Sequence, residues 1–336
     1  MRWLILTDEA PPVVGGIATF VARVTRALAD RGDEVVVVGR HRGPTTLPGA
    51  RWIGARGSSF GRYAGRWLAR AAGTELLRAD RVLATTWVAA TFATRVRSDL
   101  IITAHGSDVT RPPVRSPATF RRVWAAAGRG LALSEHLVRT LAARGVDTAP
   151  LPAPIPIRPA SPPPGPARER WGFVGRLTPH KGVDRFLRWV EVAGVEGVVV
   201  GDGPIRDEAM ALARRLGIRV TFTGFLSPDE LARLWDELDL VVLAPRPYPD
   251  GSGAEGLGLV LLEAAGQGVP AIGCATGGVP EAVGAGLVVP TPDDAAGTVR
   301  AIRDWWTPER GLAAWAWVRD HHGTARTLAT LDGERR

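Results

Sequence analysis

Short continuous apolar runs and amphipathic stretches alternate along almost the whole chain. Leu4-Ile5-Leu6 within Arg2–Thr7 and Val35-Val36-Val37-Val38 within Glu34–Gly39 are unbroken by polar residues, the pattern of strands buried on both faces of a parallel sheet. Between them, residues 17–31 place Phe20, Val21, Val24 and Leu28 at helical spacing, and Gly32 supplies a stop. Strand, glycine loop, helix and strand make a βαβ unit. Further strands are expected over 82–85, 100–104 and 131–133, with Ser134 capping the helix that answers the last. The alternation restarts with strands over 171–174, 197–200, 219–222 and 240–243, separated by helices over 183–192, 205–216 and 228–237. The pattern therefore predicts two doubly wound α/β, Rossmann-like domains.

The two halves meet at a stretch over 150–168 that holds nine prolines and little that could continue a helix, which reads as a stiff connector. The expected divisions are an N-terminal domain over 1–155, a Pro-rich linker over 156–168, a second domain over 169–305 and a helical tail over 306–336. Trp315, Trp317 and Val318 in that tail need a surface to cover, and the N-terminal domain is a candidate. At 336 residues and 45% hydrophobic content each half can bury a core. No apolar run approaches the ~18 residues of a membrane span, so a cytoplasmic protein is expected.

Charge and rare residues sharpen this picture. The net charge of +8 is spread along the chain, which favours phosphate-bearing ligands over nucleic acid and is compatible with peripheral contact to an anionic membrane face. Of 42 Lys and Arg residues only Lys181 is lysine. A compact, mobile ammonium meets phosphate differently from a guanidinium, so its retention marks it for attention. The single cysteine, Cys274, excludes an internal disulfide and any multi-cysteine metal site.

In open α/β sheets ligands bind beyond the carboxyl ends of the strands, and the polar motifs fall there. Gly15-Gly16 follows the first strand and opens a helix, where free N–H groups attract anions. It lacks the G-x-G-x-x-G spacing of a dinucleotide fingerprint. His105-Gly106-Ser107-Asp108 follows the strand over 100–104. Gly175 to Asp184 follows another strand and brings Arg176 and Lys181, five residues apart, to a helix start, which suits a diphosphate clamp. Farther on, Glu255-Gly256-Leu257-Gly258 leads into an apolar run containing Glu263 and ending at Gly268-Val269-Pro270. An unpartnered carboxylate there would cost several kcal/mol, so Glu263 requires either a core arginine or hydroxyl donors such as those of a sugar. If the eight steps from Glu255 to Glu263 are helical, the carboxylates lie about 12 Å apart along the axis, and closer if the glycine loop folds back.

Together with Gly201-Asp202-Gly203-Pro204 and Thr223-Gly224-Phe225-Leu226, these residues make the second half resemble the nucleotide-sugar domain of retaining glycosyltransferase family 4, over 170–290. Over the first half the resemblance rests on Gly15-Gly16 with its helix and on His105 to Asp108. It implies the GT-B fold, α/β with two Rossmann-like domains facing across a cleft. It further implies that Arg176 and Lys181 hold the donor diphosphate, Glu263 the ribose hydroxyls, and Gly224, Phe225 and Leu226 the base. Glu255 with the backbone of Gly256, Leu257 and Gly258 would hold the donor sugar, His105 would reach that sugar near the reacting carbon, and Gly16 would touch phosphates or acceptor. Gly15 and Asp108 are acceptor-side candidates, and His105, Arg176, Lys181 and Glu255 form the expected catalytic set.

The expected reaction moves a hexose from a UDP- or GDP-linked donor, used as co-substrate with no cofactor, to a hydroxyl of a small natural-product aglycone such as an aminocyclitol, or of a lipid-linked acceptor. No D-x-D motif occurs, so no metal is expected, and protein cations would neutralise the leaving diphosphate. Retention would follow the family's front-face route, in which the departing phosphate helps remove the acceptor proton. The segment over 245–254 departs from the family in being longer than its usual short Pro-Ser link, which leaves acceptor choice open. Competing readings are a non-catalytic sugar-nucleotide-binding subunit and a GT-B epimerase. A pyridoxal-dependent phosphorylase would need the one lysine for another task.

Overall fold

The computed structural model describes residues 1–40, 47–55, 64–110, 117–159, 168–251 and 253–334. The chain forms two compact units, one comprising Met1–Pro154 with His322–Arg336 and the other Ile155–His321.

The first unit is built on a seven-stranded sheet. In chain order its strands are β1 (Arg2–Thr7), β2 (Glu34–Gly39), β3 (Ala50–Gly54), β4 (Arg81–Ala84), β5 (Ile101–Ala104), β6 (Arg129–Ala132) and β7 (Ala149–Pro150), and their order across the sheet is β3-β2-β1-β4-β5-β6-β7. All neighbours run parallel. Trp3 to Leu6 and Val35 to Val38 are buried, as their unbroken apolar runs require. The strand order reverses between β1 and β4, so the carboxyl ends of these two strands open the crevice where such sheets take ligands. The helix Gly16–Asp30 buries Phe20, Val21, Val24 and Leu28. Helix Thr324–Asp332, from the end of the chain, packs on it. It is tied down by hydrogen bonds from Arg129 Nη1 to Thr330 O (2.9 Å) and from Thr327 Oγ1 to Pro152 O (2.8 Å), and by the Arg31–Asp332 ion pair.

The second unit has a six-stranded parallel sheet of β8 (Arg170–Val174), β9 (Glu196–Val200), β10 (Val220–Gly224), β11 (Leu240–Leu243), β12 (Ala271–Cys274) and β13 (Leu287–Val289), in the order β10-β9-β8-β11-β12-β13. Its reversal lies between β8 and β11. Strands β3, β7, β12 and β13 are additional to those expected from the sequence.

The helical tail expected over 306–336 is divided between the units. Helix Arg310–His321 belongs to the second, where Ala314, Trp315 and Val318 are buried and the helix packs on Leu259–Gly266. Trp315 Nε1 donates to Arg158 O at 3.0 Å. Only the residues from His322 onward join the first unit. Of the expected linker, 160–167 lies outside the described residues. The part before it is bound to the second unit: Arg158 N donates to Gly266 O (3.0 Å) and Gln267 Nε2 to Pro156 O (3.0 Å).

Candidate active site

In the second unit the site forms at the carboxyl edge of β8 and β11. After β8 the chain runs through Gly175 and Arg176 into a single 3-10 turn, Pro179–Lys181, and then into the helix Val183–Ala193. Gly182 joins turn to helix at φ +76°, where a Cβ would collide with the carbonyl oxygen of Ala244, so only glycine lets the turn pass this close to the end of β11. The turn's other flank rests on the loop after β9. Leu177 N donates to Asp202 O (2.9 Å), and a Cβ on Gly203 would fall on Leu177 O. This leaves Arg176 exposed and Lys181 half-buried at the edge.

Lys181 Nζ donates to Glu255 Oε2 at 2.6 Å, with side chains 21% and 15% exposed. The structure thus brings together a diphosphate-binding candidate and a sugar-binding candidate. Glu255 is not helical. The helix starts only at Leu259, after Gly258 at φ +90°, and carries half-buried Glu263 one turn in. The loop ahead of that helix is held by Thr276-Gly277-Gly278 beyond β12. Gly278 N donates to Glu255 O (2.9 Å), and a Cβ on Gly277 or Gly278 would fall on the carbonyl oxygens of Glu255 or Gly256. The pair of glycines fixes where the Glu255 loop sits, a role the sequence reading did not assign. Gly256, Leu257 and Gly258 are buried behind Glu255. Gly224 closes the outer strand β10, and Phe225 beyond it is 57% exposed, a free aromatic face at the same edge. Ser252, within the long segment over 245–254, lies outside the described residues.

In the first unit a second polar cluster occupies the edge of β1, β4 and β5. Thr85 Oγ1 donates to Thr7 Oγ1 (2.9 Å) and Thr86 Oγ1 to Asp8 Oδ2 (2.6 Å). Asp108 Oδ1 accepts from the backbone N–H groups of His105 (3.1 Å) and Gly106 (2.7 Å). The His105 ring lies between Thr103 Oγ1, 3.0 Å from Nε2, and the Phe20 ring, edge-on at 4.6 Å between centroids. His105 and Asp108 keep some accessible surface, yet His105 Nδ1, Asp108 Oδ2 and Asp8 Oδ1 are shut off from solvent without a hydrogen-bond partner among the described residues. Burial is accordingly the first cause of their shifts. It lowers His105 to about 3, raises Asp108 to about 7 against the opposing hydrogen bonds of Gly106 and His105, and raises Asp8. At neutral pH His105 is an uncharged ring that can exchange hydrogen bonds. Gly15 and Gly16 stand at the start of the neighbouring helix, where a Cβ on Gly15 would come within 3.2 Å of Glu9 Oε2. Asp8, Thr86 and Thr103 were missed in the sequence. The available signal was position alone, within two residues of the carboxyl end of a buried strand.

Two doubly wound parallel sheets, each with polar side chains at its reversal point, define the architecture of a GT-B glycosyltransferase. Residues 14–153 match the family model "Glycosyltransferase Family 4" and residues 168–307 match "Glycosyl transferases group 1", so each unit carries a match to a glycosyltransferase model. The chain's fold is similar to that of the Anabaena protein HepE, crystallised with UDP and glucose (TM-score 0.72, 19% identity, covering 99% of this chain and 100% of that one). It is 38% identical over 117 residues to the GDP-mannose-dependent alpha-(1-6)-phosphatidylinositol monomannoside mannosyltransferase of Mycobacterium tuberculosis, covering 33% of this chain and 30% of that protein. It is 37% identical over 145 residues to the 2-deoxystreptamine N-acetyl-D-glucosaminyltransferase of Streptomyces fradiae, covering 40% and 32%. The chain spans about a third of the length of the curated relatives it matches. Among the described residues no helix is long and apolar enough to cross a membrane.

Proposed function

We propose that the protein transfers a hexose from a UDP- or GDP-linked donor to a hydroxyl acceptor with retention and without a metal ion. The observation that carries this reading is the sole lysine of the chain, poised at the ligand edge against Glu255 (2.6 Å). Arg176, Lys181 and the adjoining helix start supply the positive potential that a departing nucleoside diphosphate needs, most of all in the transition state. Glu263 takes the ribose hydroxyls, Phe225 with Gly224 and Leu226 flanks the base, and Glu255 with the loop to Gly258 takes the sugar. We assign the neutral His105 to the sugar near the reacting carbon. Gly16 serves phosphates or acceptor, and Gly15 and Asp108 lie on the acceptor side. The relatives' names, phosphatidylinositol monomannoside and 2-deoxystreptamine, point to a cyclitol-bearing acceptor.

Titration with UDP and GDP, followed by turnover of UDP- and GDP-sugars in the presence of a chelator, tests the reading. We expect one of the two diphosphates to raise Tm and its sugar conjugate to be consumed at a rate that EDTA leaves unchanged. Loss of activity restored by magnesium or manganese overturns the metal-free assignment. Nucleotide binding without turnover in the presence of inositol and 2-deoxystreptamine acceptors would instead favour a binding subunit.

A further inference from the structure

Residues 245–254 join β11 to the Glu255 loop, and the structure places Arg246 and Tyr248 of this segment against the turn that carries Lys181. Arg246 N donates to His180 O at 2.7 Å, one residue before Lys181. Its guanidinium makes two parallel bonds to Asp184, both at 2.8 Å, three residues after Lys181. One arginine therefore clasps both flanks of the chain's only lysine. Arg185, 8% exposed, completes the attachment from the other side. It donates to Ala244 O (3.1 Å) and Pro245 O (3.0 Å) and pairs with both oxygens of Asp293 at 2.7 and 2.6 Å. Asp293 also lies 3.5 Å from Arg246, and the rings of His180 and Tyr248 are 4.7 Å apart. The segment itself closes into a turn, with Gly251 N donating to Tyr248 O (3.0 Å) and Tyr248 N to Gly253 O (2.7 Å).

We propose that Arg246, acting through Asp184 and the His180 carbonyl, is a positioning residue for Lys181, and that the long segment braces the donor site instead of selecting the acceptor. The proposal rests on the reading of Lys181 as the donor-diphosphate cation. A bidentate guanidinium–carboxylate pair fixes direction as well as distance. With side chains 34% and 42% exposed the pair adds little to global stability, so its removal leaves the fold standing and shows up in the placement of the ammonium. Arg246 and Tyr248, the two longest side chains of the segment, are engaged with residues 180 to 184.

The test exploits the single lysine. In protein grown on isotopically labelled lysine, the Lys181 side chain gives one set of NMR resonances, which reports its surroundings with or without nucleotide. Arg246→Met, which keeps the backbone bond to His180, is expected to shift the Lys181 resonances and to weaken UDP or GDP binding about 10-fold, some 1.4 kcal/mol, with Tm nearly unchanged. Arg246→Lys should recover only part of this. The exchange Asp184→Arg with Arg246→Asp should bring affinity back to within about threefold if the two residues act as a coupled pair. Unchanged Lys181 resonances and unchanged nucleotide affinity in Arg246→Met overturn the proposal, as does an effect confined to the acceptor KM. A wild type that binds neither UDP nor GDP overturns the donor reading, and the resonances alone then decide whether Arg246 places Lys181.

Discussion

Lys181 and Glu255 were expected to serve different parts of the donor, and they are bonded to each other at 2.6 Å. On the proposed function a diphosphate competes with Glu255 for the ammonium, and the displaced Glu255 is expected to turn to the sugar hydroxyls. Removing the competitor should help the nucleotide while harming the reaction. In Glu255→Gln we expect UDP or GDP to bind about 3-fold tighter, under 1 kcal/mol as suits a partly exposed pair, with turnover of the nucleotide sugar down by roughly 100-fold. Calorimetry and initial rates check this, and weaker nucleotide binding in the glutamine variant would show that Glu255 orients Lys181 instead of opposing it. Asp108 carries a pH signature. Its carboxyl is pushed up to about 7 by burial, against roughly 3.9 in an unfolded chain. For a raised pKa, the stability contribution is full below the unfolded value and is lost as pH rises through the folded one. Asp108→Asn keeps an oxygen for the N–H groups of His105 and Gly106 and cannot ionise. It should melt higher than wild type at pH 8, by at most on the order of 2 to 4 kcal/mol, with the gap closing towards pH 5. His105, lowered to about 3, acts oppositely and destabilises the fold only as pH falls below about 6.5. A gap in melting temperature between Asp108→Asn and wild type that is the same at pH 5 and pH 8 would refute the assignment.

At the scale of elements, what was legible in the sequence were those whose burial leaves no choice. Val35 to Val38 and Leu240 to Leu243 are buried on both faces, so their composition alone specifies central parallel strands. The strands that escaped notice are short, peripheral or mixed. Ala50–Gly54 contains Arg51 and Trp52, Leu287–Val289 has three residues, and Ala271–Cys274 contains Gly273, whose Cβ would strike Val279 and Val283. Glycine there is a packing requirement, and it reads in sequence as a loop. The candidate site divides the same way. Lys181, Glu255 and His105 were singled out because strand ends and glycine turns announce them, whereas Arg246, Asp184 and Asp293 are ordinary charges whose partners lie 47 to 108 residues away in the chain. Gly277 and Gly278 show the same limit. Only the fold reveals that the carbonyls of Glu255 and Gly256 occupy the space their side chains would need.

At the scale of the whole chain, the backbone leaves the first unit at Pro154 and returns to it at His322. The last helix is part of that unit's core and not an appendage. Thr327 and Leu331 are fully buried and Leu328 is 8% exposed. Arg31, Arg81 and Arg129 of the first unit each bond to Thr330, Leu331 or Asp332. Losing one buried leucine alone typically costs about 2 to 5 kcal/mol, and removal of the whole helix approaches the roughly 5 to 15 kcal/mol that holds an ordinary domain together. A chain ended at His321 should therefore lose the first unit while keeping the second, whose sheet and whose helix Arg310–His321 are intact. Native-state hydrogen exchange separates the two, because protection follows local stability. Backbone amides of β1, β2 and β4 should lose their slow exchange, and those of β8, β9 and β11 should retain it. Retained protection in β1 of the shortened chain would show that the terminal helix merely covers the first unit, and loss of protection in β8 would show that the second unit depends on the first for its folding.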